Sequence, residues 1–577
     1  MRRVRRALLT ATATVLVFAM SATAAVAAFN AITSNPANNL GTAPDFARPD
    51  VDTVDPPVIK HSNGTAGFVK AGQGYYVYGK LGDSGNPSSG ISSVTANVSS
   101  LGGAATAALS SGSYSPHNYR SALLTVTAGT TEGSKTFSIT SSDVAANAGT
   151  DSGYSVTVDN TAPAFAGAAA GAVIQKSSGG KAGFVKNGGN YYVYANPTDA
   201  ASGVTTVTAN VNNITTGQTT AALTTTGGPW IGVDGNTYTH RSAQLTANAG
   251  LTTGAKTFTL TGTDAVTNSA TTSNYTVTAD LAAPTLTRSV LAKTTGYSGS
   301  YLKPSGTYHV YAELADASSG VASATANVAT ATAGQTTVAM TTTGGPWTVE
   351  GQTYALRSAS LTADAGLTNG AGKTWSVTAT DNADVVSGAL AGTTFTGDNA
   401  APATSSVATV NGGTARRPDQ GDQITYTFND PIDTASLING FAGMADGTAR
   451  NVLVQLNDNG NGTDNGATTD SITIFDATNP IDQVRLGQLK LGRDLNNSGV
   501  AKVFGTGVAP STMVRVAGTP TQIRITLGAV TTNYTGVLTG ANANHTMAWT
   551  PLANMYDRAD NALPNLTALN SAAAKHF

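Results

Sequence analysis

One ten-residue segment occurs three times along this chain of 577 residues: Arg120-Ser-Ala-Leu-Leu-Thr-Val-Thr-Ala-Gly129, Arg241-Ser-Ala-Gln-Leu-Thr-Ala-Asn-Ala-Gly250 and Arg357-Ser-Ala-Ser-Leu-Thr-Ala-Asp-Ala-Gly366. A second set keeps the same spacing, namely Tyr75-Tyr-Val-Tyr78, Tyr191-Tyr-Val-Tyr194 and Tyr308-His-Val-Tyr311. Self-similarity at a fixed period, here roughly 120 residues, indicates tandem copies of one structural unit.

Each copy is built from short alternating segments. Thr257-Phe-Thr-Leu-Thr-Gly262 alternates polar and apolar residues, and Gly, Asn and Asp bound such segments. Alternation at period two predicts half-buried antiparallel strands, and a unit of this length is the size of one β-sandwich. Tyr75 and Val77 should then face one side of their strand, and Tyr76 and Tyr78 the other. We expect one of these pairs to lie in the core.

The composition excludes several function classes. The formal net charge is −2, or −6 once Arg2, Arg3, Arg5 and Arg6 are left out, and no basic run follows; this argues against a nucleic-acid partner. The absence of cysteine excludes disulfides, thiolate zinc sites and cysteine nucleophiles. Of the 33 acidic residues only three are Glu, and an excess of Asp favours turns and hard-cation sites over helices.

The amino-terminal segment predicts export. Met1–Arg6 is basic, Ala7–Val26 is apolar and uncharged, and Ala25-Val-Ala27 has the small-x-small form of a signal cleavage site. An uncleaved signal segment, acting as an anchor, is the alternative and would be the chain's contact with a membrane. We therefore expect a secreted protein, located outside the cell or at its surface.

Two resemblances concern the residues beyond this segment. Phe29-Asn-Ala-Ile-Thr-Ser-Asn-Pro36 resembles the start of Gram-positive secreted proteins that carry the signal type of biofilm-matrix fibre proteins. Val158-Asp-Asn-Thr-Ala-Pro163, with Asp143-Val-Ala-Ala-Asn147 and Asp264-Ala-Val-Thr-Asn268, resembles bacterial immunoglobulin-like (Ig-like) repeats. The second resemblance implies an all-β fold of tandem Ig-like β-sandwiches, and we expect them to form an elongated array.

A different domain comes after the repeats. Gly421-Asp-Gln-Ile-Thr-Tyr-Thr-Phe-Asn-Asp-Pro-Ile-Asp433, together with Trp549-Thr-Pro551 and Asp557-Arg-Ala-Asp-Asn561, resembles another bacterial Ig-like type found in S-layer and other surface proteins. The predicted organisation is a signal peptide (1–27), a linker (28–54), Ig-like repeats 1 (55–160), 2 (161–281) and 3 (282–400), a larger C-terminal Ig-like β domain (401–570) and a tail (571–577).

Recurrent aspartates make calcium the first candidate cofactor. Each repeat ends in an Asp four residues before a Pro, as in Asp159/Pro163, and Asp52/Pro56 precedes the first repeat with the same spacing. Ca²⁺ binds carboxylate, amide and carbonyl oxygens in loops, and the alternative is that each Asp caps its own turn. The candidate ligands are Asp83, Asp199 and Asp316; Asp143, Asp264 and Asp381; and Asp159, Asp280 and Asp398.

A local loop in the C-terminal domain offers two further candidate ligands. Asn457-Asp458-Asn-Gly-Asn-Gly-Thr-Asp464 imitates the start of an EF-hand loop. It has Asn457 in place of the first Asp and Thr468 where the closing Glu belongs, so a plain hairpin loop is the alternative. Asp458 and Asp464 are therefore weaker candidates than the recurrent aspartates.

Two other features have more than one interpretation. Gly227-Gly-Pro-Trp230 and Gly344-Gly-Pro-Trp347 each place a Trp after a tight turn, where it could stack on a sugar or close the end of its own sandwich. Lys also recurs, as Lys70, Lys186 and Lys303. At a strand edge such a lysine most simply prevents edge-to-edge aggregation.

The sequence favours a structural protein over an enzyme. None of the six His recurs in register with an acid, and no Gly-x-Ser-x-Gly, His-Glu-x-x-His or phosphate-loop motif occurs. We expect the repeats to form the stalk of a surface layer or extracellular matrix, with the chain itself or other surface proteins as partners. The alternative is an adhesin or carbohydrate-binding protein that acts as a monomer on glycans.

Overall fold

The computed structural model describes residues 45–166, 171–294, 299–459, 469–495, 500–506, 508–519, 521–530 and 544–577. The predicted signal peptide and residues 28–44 of the predicted linker lie outside these ranges. The chain divides into two compact units, Met1–Thr161 and Ala162–Phe577. The first unit contains repeat 1, and the second contains repeats 2 and 3 and the C-terminal domain.

Repeat 1 consists of β-strands and one 3₁₀ turn. They are β1 (Asp50–Val51), β2 (Val58–His61), β3 (Phe68–Val69), β4 (Gly74–Gly79), β5 (Leu81–Gly82), β6 (Ile91–Asn97), η1 (Ser99–Leu101), β7 (Ala107–Tyr114), β8 (His117–Ser121), β9 (Leu124–Thr125), β10 (Gly133–Asp143) and β11 (Ala148–Val158). Strand β1, within the predicted linker, pairs with β5, so the last residues of that segment pack on the repeat.

The strands of repeat 1 form an Ig-like β-sandwich. One sheet has the order β2-β4-β8-β7, and the other continues from β7 through β6, β10 and β11 to β3. Strand β7 pairs with both β6 and β8, so it links the two sheets, and β3 runs parallel to the last strand β11. The predicted all-β, Ig-like fold is confirmed.

Alternation along β4 places the core as expected. Tyr75 and Val77 are fully buried, whereas Tyr76 and Tyr78 are half-buried on the other face. The apolar set to which Tyr75 and Val77 belong includes Ile139 between the two sheets. Burying apolar side chains of both sheets is what drives a sandwich together.

Repeat 2 has the same topology as repeat 1. Its strands are β12 (Ala164–Phe165), β13 (Ala172–Lys176), β14 (Phe184–Val185), β15 (Asn190–Ala195), β16 (Pro197–Thr198), β17 (Val204–Asn210), β18 (Ala221–Thr224), β19 (Trp230–Ile231), β20 (Thr237–Tyr238), β21 (His240–Ser242), β22 (Leu245–Thr246), β23 (Gly254–Asp264) and β24 (Ser269–Ala279).

Repeat 3 departs from the pattern in its late strands. Its strands are β25 (Thr285–Lys293), β26 (Tyr301–Leu302), β27 (Thr307–Ala315), β28 (Val321–Asn327), β29 (Val338–Thr341), β30 (Trp347–Val349), β31 (Gln352–Tyr354), β32 (Leu356–Ser358), β33 (Leu361–Thr362), β34 (Gly370–Lys373), β35 (Ser376–Asp381), β36 (Leu390–Ala391) and β37 (Phe395–Gly397). The strand that is continuous as β23 in repeat 2 is interrupted at Trp375, whose buried indole N–H donates to the Thr393 carbonyl at 2.6 Å.

The C-terminal domain is one large antiparallel sheet with the order β38-β39-β45-β44-β40-β41-β42-β46-β47, and β43 pairs with β40. The elements are β38 (Thr404–Val410), β39 (Gln423–Phe428), η2 (Thr434–Leu437), β40 (Ala449–Asn457), β41 (Ser471–Asp476), β42 (Gln483–Lys490), β43 (Lys502–Phe504), β44 (Ser511–Arg515), β45 (Gln522–Thr526), β46 (Ala548–Thr550) and β47 (Leu569–Asn570).

The core of the C-terminal domain surrounds a fully buried tryptophan. The Trp549 ring lies 4.9 Å from that of Tyr426 and 5.1 Å from that of Phe428, in edge-to-face contacts. The segment predicted as a tail, 571–577, packs on this domain: Phe577 joins its core and His576 contacts Thr409. Among the described residues there is no helix of the length and apolarity needed to span a bilayer.

The serine of the recurring Arg-Ser-Ala segment explains why that segment is repeated. Ser242 Oγ is buried, accepts a hydrogen bond from Val193 N at 3.0 Å and donates one to the Ala243 carbonyl at 2.7 Å. Ser121 and Ser358 make the same pair of bonds in the other two repeats. The hydroxyl therefore satisfies a backbone N–H that the strand ladder leaves unpaired.

We expect Ser242→Ala to destabilise repeat 2 by about 1–3 kcal/mol, because it leaves the buried Val193 N–H without a partner. Denaturant unfolding of the full chain measures the effect. Ser273→Ala, which alters an exposed serine of the same repeat, is the matched control. Equal unfolding of the two variants would contradict the assigned role.

Candidate metal centres

The aspartate that ends each repeat is held by its own backbone. At the end of repeat 2, Asp280 N donates to the Val185 carbonyl at 2.9 Å, which extends the parallel pairing of β14 with β24. Asp280 Oδ1 accepts from Ala282 N two residues later at 3.2 Å. Asp398 repeats both bonds at the end of repeat 3. Each carboxylate is thereby fixed where the chain enters the following domain.

Two loops of repeat 3 bring further carboxylates to Asp280. Asp316 follows β27 and accepts from Gly320 N at 2.8 Å, and Asp381 ends β35 and accepts from Ala383 and Val385 N at 2.8 Å. One oxygen from each of Asp280, Asp316 and Asp381 lies within 4.8 Å of the others, and we call these residues the repeat-3 trio. Thus the structure brings together three of the aspartates that the sequence predicted as ligands.

The C-terminal domain contains the same arrangement, which sequence reasoning found only in part. Asp398 was a candidate, but its partners Asp430 and Asp557 were not; these three form the C-terminal trio, again within 4.8 Å. The Asp-x-x-x-Asn spacing of Asp557 and Asn561, shared with Asp143 and Asn147, could have identified this loop. Asn561 N and Nδ2 both donate to the Asp557 carboxylate at 2.8 Å.

Repeat 1 also holds an equivalent group. The amino-terminal trio consists of Asp45, Asp83 and Asp143, with the same separation. Asp45, which was not a candidate, stands four residues before Pro49 and binds Ala47 N at 2.9 Å, as the junction aspartates do. Asp52, to which we assigned that place from its spacing to Pro56, instead pairs with Lys80 at 3.0 Å.

The remaining candidates of the repeated set belong to different units. Asp199 and Asp264 occupy the two corresponding loops of repeat 2, and Asp264 Oδ1 and Oδ2 both accept from Asn268 at 2.7 Å. Asp159 ends the first unit and accepts from Thr161 N at 3.0 Å. A shared metal site for these three stays a prediction.

Of the two candidates in the EF-hand-like loop, only Asp458 lies among the described residues. Asp458 immediately follows β40, and no group of three metal-ligating side chains within the described ranges includes it. Asp464 lies outside the described residues.

The charge of the trios is not balanced by basic side chains in the part of the chain that the structure describes. There, Lys, Arg and His form no ion pair with a carboxylate of the amino-terminal, repeat-3 or C-terminal trio. In each trio two residues are buried and one is half-buried. Carboxylates this close together repel one another, and burial adds to the cost of their charge.

Burial, repulsion between the carboxylates and backbone hydrogen bonds together set the pKa shifts in the trios. Burial, then repulsion from Asp398 and Asp557, raises the pKa of Asp430 to about 7. Burial also raises the pKa of Asp557 to about 6, although Asn561 and Ala559 donate to it. In the repeat-3 trio burial raises the pKa of Asp381, and Asp280 and Asp316 add to the rise. In the amino-terminal trio, by contrast, hydrogen bonds from Ala47 and Ser89 N lower the pKa of Asp45.

One carboxylate oxygen of the repeat-3 trio is buried without any hydrogen-bond partner. It is Oδ2 of Asp381, a residue with no exposed surface. The corresponding oxygens of Asp143, Asp264 and Asp557 each accept from an Asn side chain four residues later, but repeat 3 has Val385 at that place. A buried anionic oxygen without a donor is costly unless a proton or cation reaches it.

The geometry fits a hard divalent cation. Calcium takes oxygen ligands at about 2.3–2.6 Å, so two oxygens bound to one ion lie at most about 5 Å apart. The three carboxylates of each trio meet that limit, and in the repeat-3 trio the buried Oδ2 of Asp381 accepts no hydrogen bond. Chemically, such a site can hold a metal ion.

The two candidate tryptophans have one ring face occupied by their own repeat. The Arg241 guanidinium lies 4.7 Å from the Trp230 ring and 4.5 Å from that of Tyr192. Arg357 lies 4.6 Å from the Trp347 ring in repeat 3. Both indoles are half-buried, so part of each ring stays accessible.

No protein-family model matches the chain, and no curated protein matches it. Among solved structures, a Ca²⁺-stabilized adhesin that helps an Antarctic bacterium bind ice is 15% identical, covers 83% of this chain and 98% of its own, and has a TM-score of 0.22. The four N-terminal Ig domains of Dscam1 isoform 4.4 are 10% identical over 76% and 97% of the two chains, with a TM-score of 0.20. At such values the likeness carries no conclusion about what this chain does.

Without a divalent cation, stability should fall as pH rises from about 4 to 7. The folded state holds a proton on Asp430 up to pH about 7, whereas the unfolded chain releases it near pH 3.9. The folded state therefore binds more protons across this window and loses stability through it.

Denaturant unfolding in a chelator, at several pH values, measures this slope for the full chain. Asp430→Asn should reduce the slope, because the amide does not ionise, and Asp557, whose pKa is raised to about 6, accounts for the slope that remains. Parallel curves for the parent chain and the variant would show that Asp430 does not titrate in this range.

Proposed function

We propose that this chain is a secreted bacterial structural protein whose Ig-like repeats form the stalk of a surface layer or extracellular matrix, with calcium bound at the aspartate trios. The observation that supports this most is the repetition of one arrangement, in which a junction aspartate and two loop aspartates converge, in domains as different as repeat 3 and the C-terminal domain. A catalytic acid pair would be expected once in a chain, not at the start of successive domains.

Calcium would act at these trios as a mechanical connector. Asp280 is anchored to repeat 2 through Val185, while Asp316 and Asp381 belong to loops of repeat 3. One ion bound by all three would therefore tie the end of one domain to the start of the next. Stiff joints are what a stalk needs, and a chain without cysteine has no disulfides to supply them.

Asp381→Asn should remove one calcium ion from the stoichiometry of the full chain, because it converts the partnerless buried carboxylate into a neutral amide. Each ion binding only the folded state stabilises it by about 2.7 kcal/mol at a hundredfold excess over Kd. Titration calorimetry counts the sites and thermal unfolding gives the stabilisation. Asp234→Asn, an exposed aspartate outside the trios, is the control.

Failure of calcium to bind or to raise the melting temperature of the parent chain would rule out the metal part of the proposal. The structural role would then rest on assembly, which is measured separately.

The partners that we propose are other copies of this chain or other surface proteins, with the distinct C-terminal domain making the specific contact. Residues 28–577 should self-associate into sheets or fibres in light scattering and negative-stain microscopy, and more so with calcium if stiff joints favour a regular lattice. A chain that stays monomeric at all concentrations tested would contradict self-assembly.

An adhesin or carbohydrate-binding protein acting as a monomer is the second candidate. It is favoured by the half-exposed indoles of Trp230 and Trp347, which occupy equivalent places in two repeats. Monomeric chain that binds a glycan array, and loses binding in Trp230→Ala and Trp347→Ala, would support this function over the first.

A further inference from the structure

The loop that carries the trio aspartate has a second recurrent geometric feature within this chain. Its fourth residue has a left-handed backbone in every domain, with φ of 68–71° at Ala146, Thr267, Asp384 and Asp560. Only repeat 3 and the C-terminal domain have an aspartate there. Aspartate tolerates this conformation better than most residues, so the position suits an aspartate whose carboxylate extends from the loop to another domain.

Asp384 of repeat 3 contacts three side chains of repeat 2. Its carboxylate accepts hydrogen bonds from Lys176 Nζ and Ser178 Oγ, and its carbonyl accepts one from Lys186 Nζ. The Lys176 side chain is only 8% exposed. Burial alone would raise the pKa of Asp384, but the bonds from Lys176 and Ser178 lower it overall.

Asp560 of the C-terminal domain makes the equivalent contacts to repeat 3. Its carboxylate pairs with Lys293, and its carbonyl accepts from Lys303 Nζ at 2.6 Å. The Lys293 side chain is 4% exposed, and its ammonium also lies 2.6 Å from Asp433 Oδ2. Thus Lys186 and Lys303, two of the recurrent lysines expected to guard strand edges, bind the next domain instead.

The buried lysine of one repeat and the loop aspartate of the next domain are present together or replaced together along the chain. Lys176 stands opposite Tyr191 and Lys293 opposite Tyr308 in the strand register, and each of these repeats is followed by a domain whose loop has the aspartate. In repeat 1 the same register position, opposite Tyr75, is His61. Repeat 2, which comes next, has Thr267 in the loop, so both members of the pair are replaced at once.

A buried ammonium group needs an anionic partner, so each buried lysine depends on a carboxylate of the following domain. Lys176 and Lys293 are almost fully enclosed. Asp384 is the carboxylate that pairs with Lys176, so its removal would leave an uncompensated buried charge. Lys293 pairs with both Asp560 and Asp433 of the following domain, so its charge is satisfied only when that domain is seated against it. Such a pair contributes orientation more than net stability, since desolvation offsets much of its attraction.

We propose that Lys176–Asp384 and Lys293–Asp560 are ionic latches, each of which holds the following domain in one orientation without any metal ion. The latches go beyond the proposed function, because they use the chain's own cations and do not depend on calcium. The aspartate of the trio and the aspartate of the latch lie three residues apart in one loop, at Asp381 and Asp384 and again at Asp557 and Asp560.

The latch is tested by the spread of distances between repeats 2 and 3 in the full chain. The chain has no cysteine, so nitroxides can be attached at Thr219→Cys and Thr336→Cys, two exposed and equivalent turn positions. In a chelator the parent should give a narrow distance distribution by pulsed electron resonance. Asp384→Thr, which places at this site the residue that repeat 2 has there, should broaden it at least twofold.

Lys176→Met, which keeps the alkyl chain, should broaden the distribution equally, and the double variant should be no broader than either single one. Thr267→Ala is the matched control at the same loop position and should leave it unchanged. Melting curves establish that each variant is folded. If the Asp384→Thr variant is not folded, Asp384→Asn replaces it in the experiment. A distribution as narrow in the folded variants as in the parent, or as broad in the metal-free parent as in the variants, would overturn the proposal.

Discussion

The close approach of three carboxylates at the start of a domain is the constraint on which much of this structure depends. In the repeat-3 and C-terminal trios three carboxylates converge, two of each three are buried, and no basic residue among those described pairs with them. Their positions are set by backbone bonds, such as Asp280 N to Val185 and Asp381 to the amides of its own loop, so they cannot easily move apart. The charge must therefore be balanced by protons or by a cation from solution.

The same loops also join successive domains in a second way, in which the balancing cation comes from the chain itself. Three residues after the trio aspartate, Asp384 and Asp560 are neutralised by buried lysines of the preceding repeat. The trio would respond to the concentration of divalent cations in solution, whereas both partners of the second contact are supplied by the chain.

Several features were predictable because they depend on local patterns. Alternation predicted that Tyr75 and Val77 share one face of their strand, and the structure showed that this face is the buried one. The recurrence of aspartates identified Asp280, Asp316 and Asp381 before the structure brought them together. Asp430 was missed because it precedes a proline in a loop that the repeats do not share, and Asp45 because Asp52 has the same spacing to a proline. Lys176 and Lys293 gave no signal, since a lysine at a strand end is ordinarily solvated.

The sequence alone determined the strand periodicity, the three repeats, the distinct C-terminal domain and the set of loop aspartates, because all of these are properties of residues close together or equally spaced along the chain. Only the tertiary structure decided which carboxylates share a trio, which aspartate reaches a buried lysine and which oxygen of Asp381 is left without a donor. These contacts depend on how the end of one domain meets the loops of the next, over separations of up to 267 residues, as for Lys293 and Asp560. The balance of charge depends on residues that come together only in the folded chain, so it cannot be predicted from their spacing in the sequence.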